Sequence, residues 1–168
     1  EFNQSASDIF ECEIHGYNAQ IVSMLNGWFY AEDPAKLQTL DDGIIVGSML
    51  AAQREMPEFF EKHYGKIADF RQNGFAAINT ALFRDGVFIY IPDNTEVKNA
   101  LQLIKMVNRE EKLMLNTRNL IVLGKNSKVS FMHCDDSVNH FSSFINTLTE
   151  IYIDENASLD LYKLQNIN

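Results

Sequence analysis

A chain of 168 residues with a 46% apolar share can bury a substantial core, as one domain or a small domain plus part of another, and disorder is excluded. Fourteen basic against 23 acidic residues leave a net charge of −9, which repels phosphate backbones and argues against nucleic acid as a direct ligand. No run approaches the ~18 apolar residues of a membrane span, and the two cysteines, Cys12 and Cys134, make no disulfide framework; a reducing, cytoplasmic setting is the default.

Ile9 to Ile14 and Ala19 to Val22 read as two short strands around a turn at His15-Gly16-Tyr17-Asn18. Gly27 precedes the densest aromatic cluster, Trp28-Phe29-Tyr30, expected in the core. Asp41-Asp42-Gly43 is a turn before the buried-strand triplet Ile44-Ile45-Val46. Ser48 suits a helix N-cap, with Met49, Leu50, Ala52 and Gln53 in the first turns. Pro57 fits the first position of a second helix, Glu58 to Tyr64, which Gly65 ends. Phe75, Ile78 and Leu82 recur at helical spacing and predict a third helix with one apolar face. Asp85-Gly86 reads as a tight turn before the β-rich run Val87 to Ile91, which Pro92 closes. Strands then follow at Leu101 to Val107, Leu113 to Leu115, Leu120 to Leu123, Val129 to Met132 and Phe144 to Thr149, separated by polar turns. The basic residues Lys105, Arg109, Lys112, Arg118, Lys125 and Lys128 read as solvated parts of those turns.

Within this β-rich half, Ile121 to Met132 recurs in outline at Ile151 to Tyr162. Ile121, Leu123, Val129 and Phe131 fall on Ile151, Ile153, Leu159 and Leu161, and Asn126 falls on Asn156. Each copy is an alternating strand, a polar corner where Asn tolerates a left-handed backbone, and a second strand. Repeats of about this length mark stacked units that bury their apolar face only against neighbours; on spacing alone a plain β-meander gives the same pattern. The last strand-like stretch, Leu159 to Leu164, is followed by no obvious cap, and the chain opens on Glu1. The start therefore reads as a processing or other boundary, and the end as a cut in mid-solenoid.

The stretch Asn73 to Pro92 resembles the SufB/SufD family, scaffold proteins of the SUF iron–sulfur cluster assembly system. The pattern is Phe75-Ala76-Ala77-Ile78-Asn79-Thr80-Ala81, a short gap, Asp85-Gly86, then a β-rich run ending in Pro92. Gly43-Ile44-Ile45-Val46 with a following short helix also fits. Ile78 stands where the family has Leu, and Asn99-Ala100 near a site where it often has Pro. The short connection Asn79 to Gly86 looks more like SufD than SufB. The resemblance implies a mainly β fold, α+β overall: a small mixed α/β domain over residues 1–84, then the beginning of a right-handed parallel β-helix, a solenoid core truncated here, over 85–168. It implies a SufB-like subunit and a SufC-like ATPase as partners. By resemblance a C-terminal segment outside this chain docks the ATPase, and later coils carry the cysteine and histidine linked to cluster building.

No residue is assigned a catalytic, cofactor-binding or metal-binding role. His133-Cys134-Asp135-Asp136 with His140 gathers soft and nitrogen ligands, but neighbours on a strand face opposite sides, so His133 and Cys134 cannot share a ligand. Cys12 reads as a small buried apolar residue, and His15 and His63 are isolated. Gly124-Lys125-Asn126-Ser127 mimics a phosphate loop but has Asn119 and Asn126 where that loop needs Gly and Ser or Thr. Asp135/Asp136 and Asp154/Glu155 would have to meet in a cleft to serve a glycosidase, and they read instead as strand-ending corners. The expectation is a non-enzymatic scaffold that binds no cofactor itself, the iron–sulfur cluster belonging to the parent complex. It would self-associate through its C-terminal β-helix edge. A β-solenoid carbohydrate-active enzyme and a plain β-rich interaction module are the alternatives.

Overall fold

In the computed structural model, which describes residues 18–138 and 142–166, strand β1 (Ala19–Leu25) turns directly into β2 (Trp28–Tyr30). Asn26 and Gly27 between them both have positive φ, 51° and 85°, the backbone that a two-residue hairpin requires. The strand and turn expected over residues 9–17 lie outside the described residues. Phe29 is buried, whereas Trp28 and Tyr30 are half exposed, so the aromatic triplet obeys strand alternation and only its centre joins the core.

β3 (Gln38–Thr39), a 3-10 turn at Asp41–Gly43 and β4 (Ile45–Ser48) lead into three helices: α1 (Met49–Glu55), α2 (Pro57–His63) and α3 (Gly74–Leu82). Ser48 caps α1 as expected, its Oγ accepting from the Ala51 N–H at 3.0 Å. Pro57 opens α2, and Gly65 follows it with φ 71°. Asn73 caps α3, accepting from Phe75 and Ala76. The remainder is β: β5 (Val87–Ile91), β6 (Ala100–Val107), β7 (Leu113–Leu123), β8 (Lys128–Ser137), β9 (Ser143–Ile153) and β10 (Ser158–Asn166).

These strands form two five-stranded sheets, ordered β10-β8-β6-β1-β2 and β3-β4-β5-β7-β9. From β5 onward successive strands alternate between the sheets, and each pairs in parallel with the next strand but one. The repeat seen in the sequence is the pairing register: Ile121 lies beside Ile151, Val129 beside Leu159 and Phe131 beside Leu161. A plain meander would pair neighbours antiparallel, and among the described strands from β5 onward no consecutive pair does so. Both sheets also take strands from the first half of the chain, β1 pairing with β6 and β4 with β5.

The corner between β7 and β8 repeats between β9 and β10. Asn94, Asn126 and Asn156 all have left-handed backbone, with φ of 59°, 56° and 58°. Their side chains form a ladder: Asn126 Nδ2 donates to Asn94 Oδ1 at 2.9 Å and Asn156 Nδ2 to Asn126 Oδ1 at 3.2 Å. Asn tolerates this backbone better than other residues with a Cβ, and its amide links one corner to the next.

Inward side chains from both sheets make the main core, including Val22, Met24, Phe29, Val87, Ile89, Leu101, Ile121 and Phe131. The outer face of the β5–β7–β9 sheet has a second core, where Phe88, Leu120 and Val122 meet Met49, Ala52 and Phe60 of α1 and α2.

Three expectations are corrected. Asp85-Gly86 is no exposed turn: Asp85 is buried and bridges in parallel to Thr117, and a Cβ on Gly86 would collide with the backbone of Arg118. Glycine is required there for close approach of two strands. Asn116 to Asn119 do not interrupt a strand; β7 runs straight through them, and all four are buried. Of the basic residues read as solvated, Lys105 and Arg118 are buried, while Arg109, Lys112, Lys125 and Lys128 are exposed.

Candidate functional site between the sheets

Along the parallel strands the interior changes character. Leu101 and Phe131 are paired inward residues near the start of β6 and β8; four residues further on, the inward positions are Lys105 and Asp135, also paired. His133 of β8 lies between, beside Lys163 of β10. Period-two alternation puts these side chains on the face that carries the core, so polar residues at that phase are driven between the sheets.

There Asp135 gathers three partners. Its Oδ1 lies 3.1 Å from His133 Nε2 and 3.4 Å from Lys105 Nζ, and its Oδ2 lies 3.4 Å from Lys163 Nζ. Lys105 Nζ also donates to Thr147 Oγ1 across the interior at 2.5 Å, and Thr147 Oγ1 is 3.0 Å from Thr117 Oγ1. Lys105, His133 and Asp135 are each over nine-tenths buried. A cavity of about 20 Å³, lined by Met24, Gly27, Lys105, Leu115, Asp135 and Ile145, adjoins them and has room for a single water.

Burial on its own would raise the Asp135 pKa. The hydrogen bond from His133 and the charges of Lys105, His133 and Lys163 outweigh that and hold the carboxyl well below the ordinary range. Burial pulls Lys105 the other way from a surface lysine, lowering its pKa despite the attraction of Asp135. The site thus holds one carboxylate among two amines and an imidazole. That composition fixes charge inside the fold.

A second buried pair lies on the outer face. Arg118 of β7 and Glu150 of β9 meet at 2.8 Å, and Glu150 accepts from the N–H groups of Gly65, Ile67 and Ala68. Arg118 also donates to Thr80 Oγ1 and lies 4.6 Å from the Tyr64 ring centroid. Burial would raise the Glu150 pKa; Arg118 and the three backbone donors together lower it. Beside it Asn79 of α3 donates to the carbonyls of Thr117 and Asn146.

Of the residues singled out in the sequence, His133 and Cys134 do face opposite ways: His133 turns to Asp135, while Cys134 Sγ accepts from Gln102 Nε2 at 3.4 Å. Cys12, His15 and His140 lie outside the described residues. His63 ends α2, with its Nδ1 2.8 Å from the Phe59 carbonyl. Asp135 and Asp136 are no strand-ending corner, since both lie within β8 and parallel pairing buries Asp135 between the sheets, whereas Asp154 and Glu155 do sit at an exposed corner, Glu155 paired with Lys125. Lys125 belongs to that corner, whose Asn126 backbone leads into a strand and no helix. Among the described residues, no group of three or more His, Cys, Asp and Glu is placed to hold a metal ion, and no helix is long and apolar enough to cross a membrane. The Lys105–Asp135 and Arg118–Glu150 pairs escape a reading of motifs. For Lys105 and Asp135 the signal is the 30-residue offset itself, which also sets Asn116 on Asn146 and Thr117 on Thr147; Arg118 and Glu150 lie 32 residues apart and meet diagonally across that register.

Residues 1–103 match the family model described as SufBD protein N-terminal region, and residues 106–168 match that of the SUF system FeS cluster assembly SufBD core domain. The iron-sulfur cluster assembly SufBD family protein ycf24 of Trieres chinensis is 33% identical over 132 residues, 78% of this chain and 27% of that protein. ABCI9 of Arabidopsis thaliana, described as a protein of the same family, is 28% identical over 144 residues, 85% of this chain and 29% of that protein. SSP1857 of Staphylococcus saprophyticus, likewise so described, is 29% identical over 127 residues, 75% of this chain and 27% of that protein. The chain spans less than a third of the length of these relatives.

Proposed function

We propose a non-catalytic scaffold role for this chain, which belongs to the SufB/SufD family of iron–sulfur cluster assembly proteins. The observation that carries the reading is the stacked register. Strands paired 30 residues apart build a two-sheet body whose buried Lys105 and Asp135 pair with each other. Such a body is suited to holding partners in place. Its alternating strands are the opening coils of a right-handed parallel β-helix, and the short connection after α3 favours a SufD-type subunit. The cluster is cargo of the assembled complex, built with a SufB-like subunit and a SufC-like ATPase in the cytoplasm.

β9 and β10 are outermost in their sheets and leave Ile153, Leu161 and Leu164 half exposed. Open strand edges recruit further strands. This edge is the proposed surface for the SufB-like subunit, and for self-association in its absence. The test is size-exclusion chromatography of the purified chain with purified SufB-type and SufC-type subunits. Co-elution with the SufB-type subunit, lost on Leu161→Lys with Leu164→Lys while the circular dichroism spectrum is kept, is expected. Failure to co-elute, or ATP hydrolysis by the chain alone, overturns the reading.

A further inference from the structure

At the end of the molecule where β1 turns into β2, a cleft of about 390 Å³ opens between that hairpin, the end of α3 and the connection from β6 to β7. Three large apolar side chains on its walls are about half exposed: Trp28 at 47%, Leu82 at 54% and Met114 at 50%. Between them stand the exposed Arg84 and Arg109, with Glu111 as the one acidic residue of the lining. Neither arginine makes an ion pair among the described residues, although the chain carries 23 acidic residues.

The cleft continues onto a second exposed surface, where the Phe75 ring stacks on Phe144. Helix α3 turns its apolar ridge outward, with Phe75 at 63% and Leu82 at 54% exposure, because its inner face is committed to Asn79. Exposed apolar patches of this kind, rimmed by polar groups, mark protein contacts. Guanidinium groups bind carboxylates through paired N–H donors, and the apolar side chains that share this lining suit a peptide carrying both carboxylates and apolar groups.

We propose that this cleft binds an acidic peptide segment of a partner protein, with an apolar side chain of that segment seated among Trp28, Leu82 and Met114 and its carboxylates on Arg84 and Arg109. Two exposed guanidinium groups with no ion pair among the described residues supply the charge complementarity. The surface is distinct from the β9–β10 edge, so the proposal stands apart from the scaffold reading.

The experiment uses the whole chain and a short fluorescein-labelled peptide of alternating glutamate and leucine, with fluorescence anisotropy as readout. A peptide with glutamine for glutamate and one with serine for leucine are the controls. Saturable binding to the first peptide is expected, weakened by added salt and at least about tenfold weaker for either control. Arg84→Ala with Arg109→Ala should weaken it about tenfold, and Trp28→Ala comparably; all three positions are exposed, and thermal melts confirm folding. No binding of the glutamate–leucine peptide, equal binding of the glutamine peptide, or binding untouched by the arginine changes in folded protein overturns the proposal.

Discussion

Arg118 and Glu150 meet at 2.8 Å with side-chain exposures of 2% and 1%, and the same carboxylate holds the backbone of Gly65, Ile67 and Ala68. One residue of β9 therefore fixes a residue of β7 and the connection between α2 and α3. Removing one partner of such a pair leaves a buried charge, so Glu150→Ala should cost about 3–5 kcal/mol in urea unfolding. Amide exchange at residues 65–68 should accelerate more than in β8. The double change Arg118→Met with Glu150→Leu should cost less than Glu150→Ala alone; a double variant as unstable as the single would show that the pair is more than a charge in need of its partner.

Asp135 and Glu150 predict acid sensitivity with a definite sign. Both carboxyls are held below their ordinary range, so the folded state binds their protons less readily than the unfolded chain. The stability they supply is complete above the unfolded values of about 4, and is lost as pH falls through the lower folded values. Unfolding midpoints measured from neutral to acid pH should drop below about pH 4, with a shallower drop for Asp135→Asn from a lower neutral value. Parallel curves for the two proteins would remove Asp135 from the account.

Asp85 runs the opposite way. Burial raises its pKa against the lowering effect of the backbone donors Phe29, Gly86 and Met49, and its Oδ2 holds the Phe29 N–H at 3.0 Å. An acid with a raised folded pKa contributes stability below its unfolded value, lost as pH rises towards the folded one. Asp85→Asn keeps an acceptor for Phe29 and cannot ionise, so the stability difference between variant and wild type should move in the variant's favour as pH rises from about 4. A difference that stays constant over that window would contradict the assignment.

The asparagine ladder separates backbone from side-chain effects. Asn126→Gly keeps the left-handed corner and loses the links to Asn94 and Asn156; Asn126→Ala loses both. Alanine should therefore be the more destabilising change, by about 1 kcal/mol, in thermal or urea melts. Equal costs would mean that the amide links alone hold the corner.

How much of this was legible follows from what each residue faces. The repeat could be read because Ile121, Phe131 and Asn126 recur with their partners at one offset, and apolar alternation and corner backbone leave marks in the residue types themselves. The polar run Asn116-Thr117-Arg118-Asn119 was illegible as strand, since its burial depends on partners far away in sequence: Asn79, Thr147, Glu150 and Thr149. The interior site was hidden for the same reason. Lys105 and Asp135 are ordinary surface residues by type, and only parallel pairing places them together between the sheets.

Helix α3 shows that failure most sharply and yields the last prediction. Phe75, Ile78 and Leu82 suggest a helix that buries its apolar stripe, yet all three are exposed, and the fully buried residue is Asn79. Its amide donates to two strand carbonyls, those of Thr117 and Asn146, which an apolar side chain there would leave without this donor. Asn79→Leu removes both donors and should cost about 2–4 kcal/mol, since each buried acceptor left unpaired costs about 1–3 kcal/mol. Phe75→Ser and Leu82→Ser, which remove apolar groups, should each cost less: Leu82→Ser within about 0.5 kcal/mol because it is half exposed, and Phe75→Ser about 0.5–1 kcal/mol because its ring stacks on Phe144. Urea denaturation of the three variants orders them. If Leu82→Ser proved as damaging as Asn79→Leu, the outward ridge of α3 would have to be covered within the folded chain, and its role as a surface for a partner would fall with it.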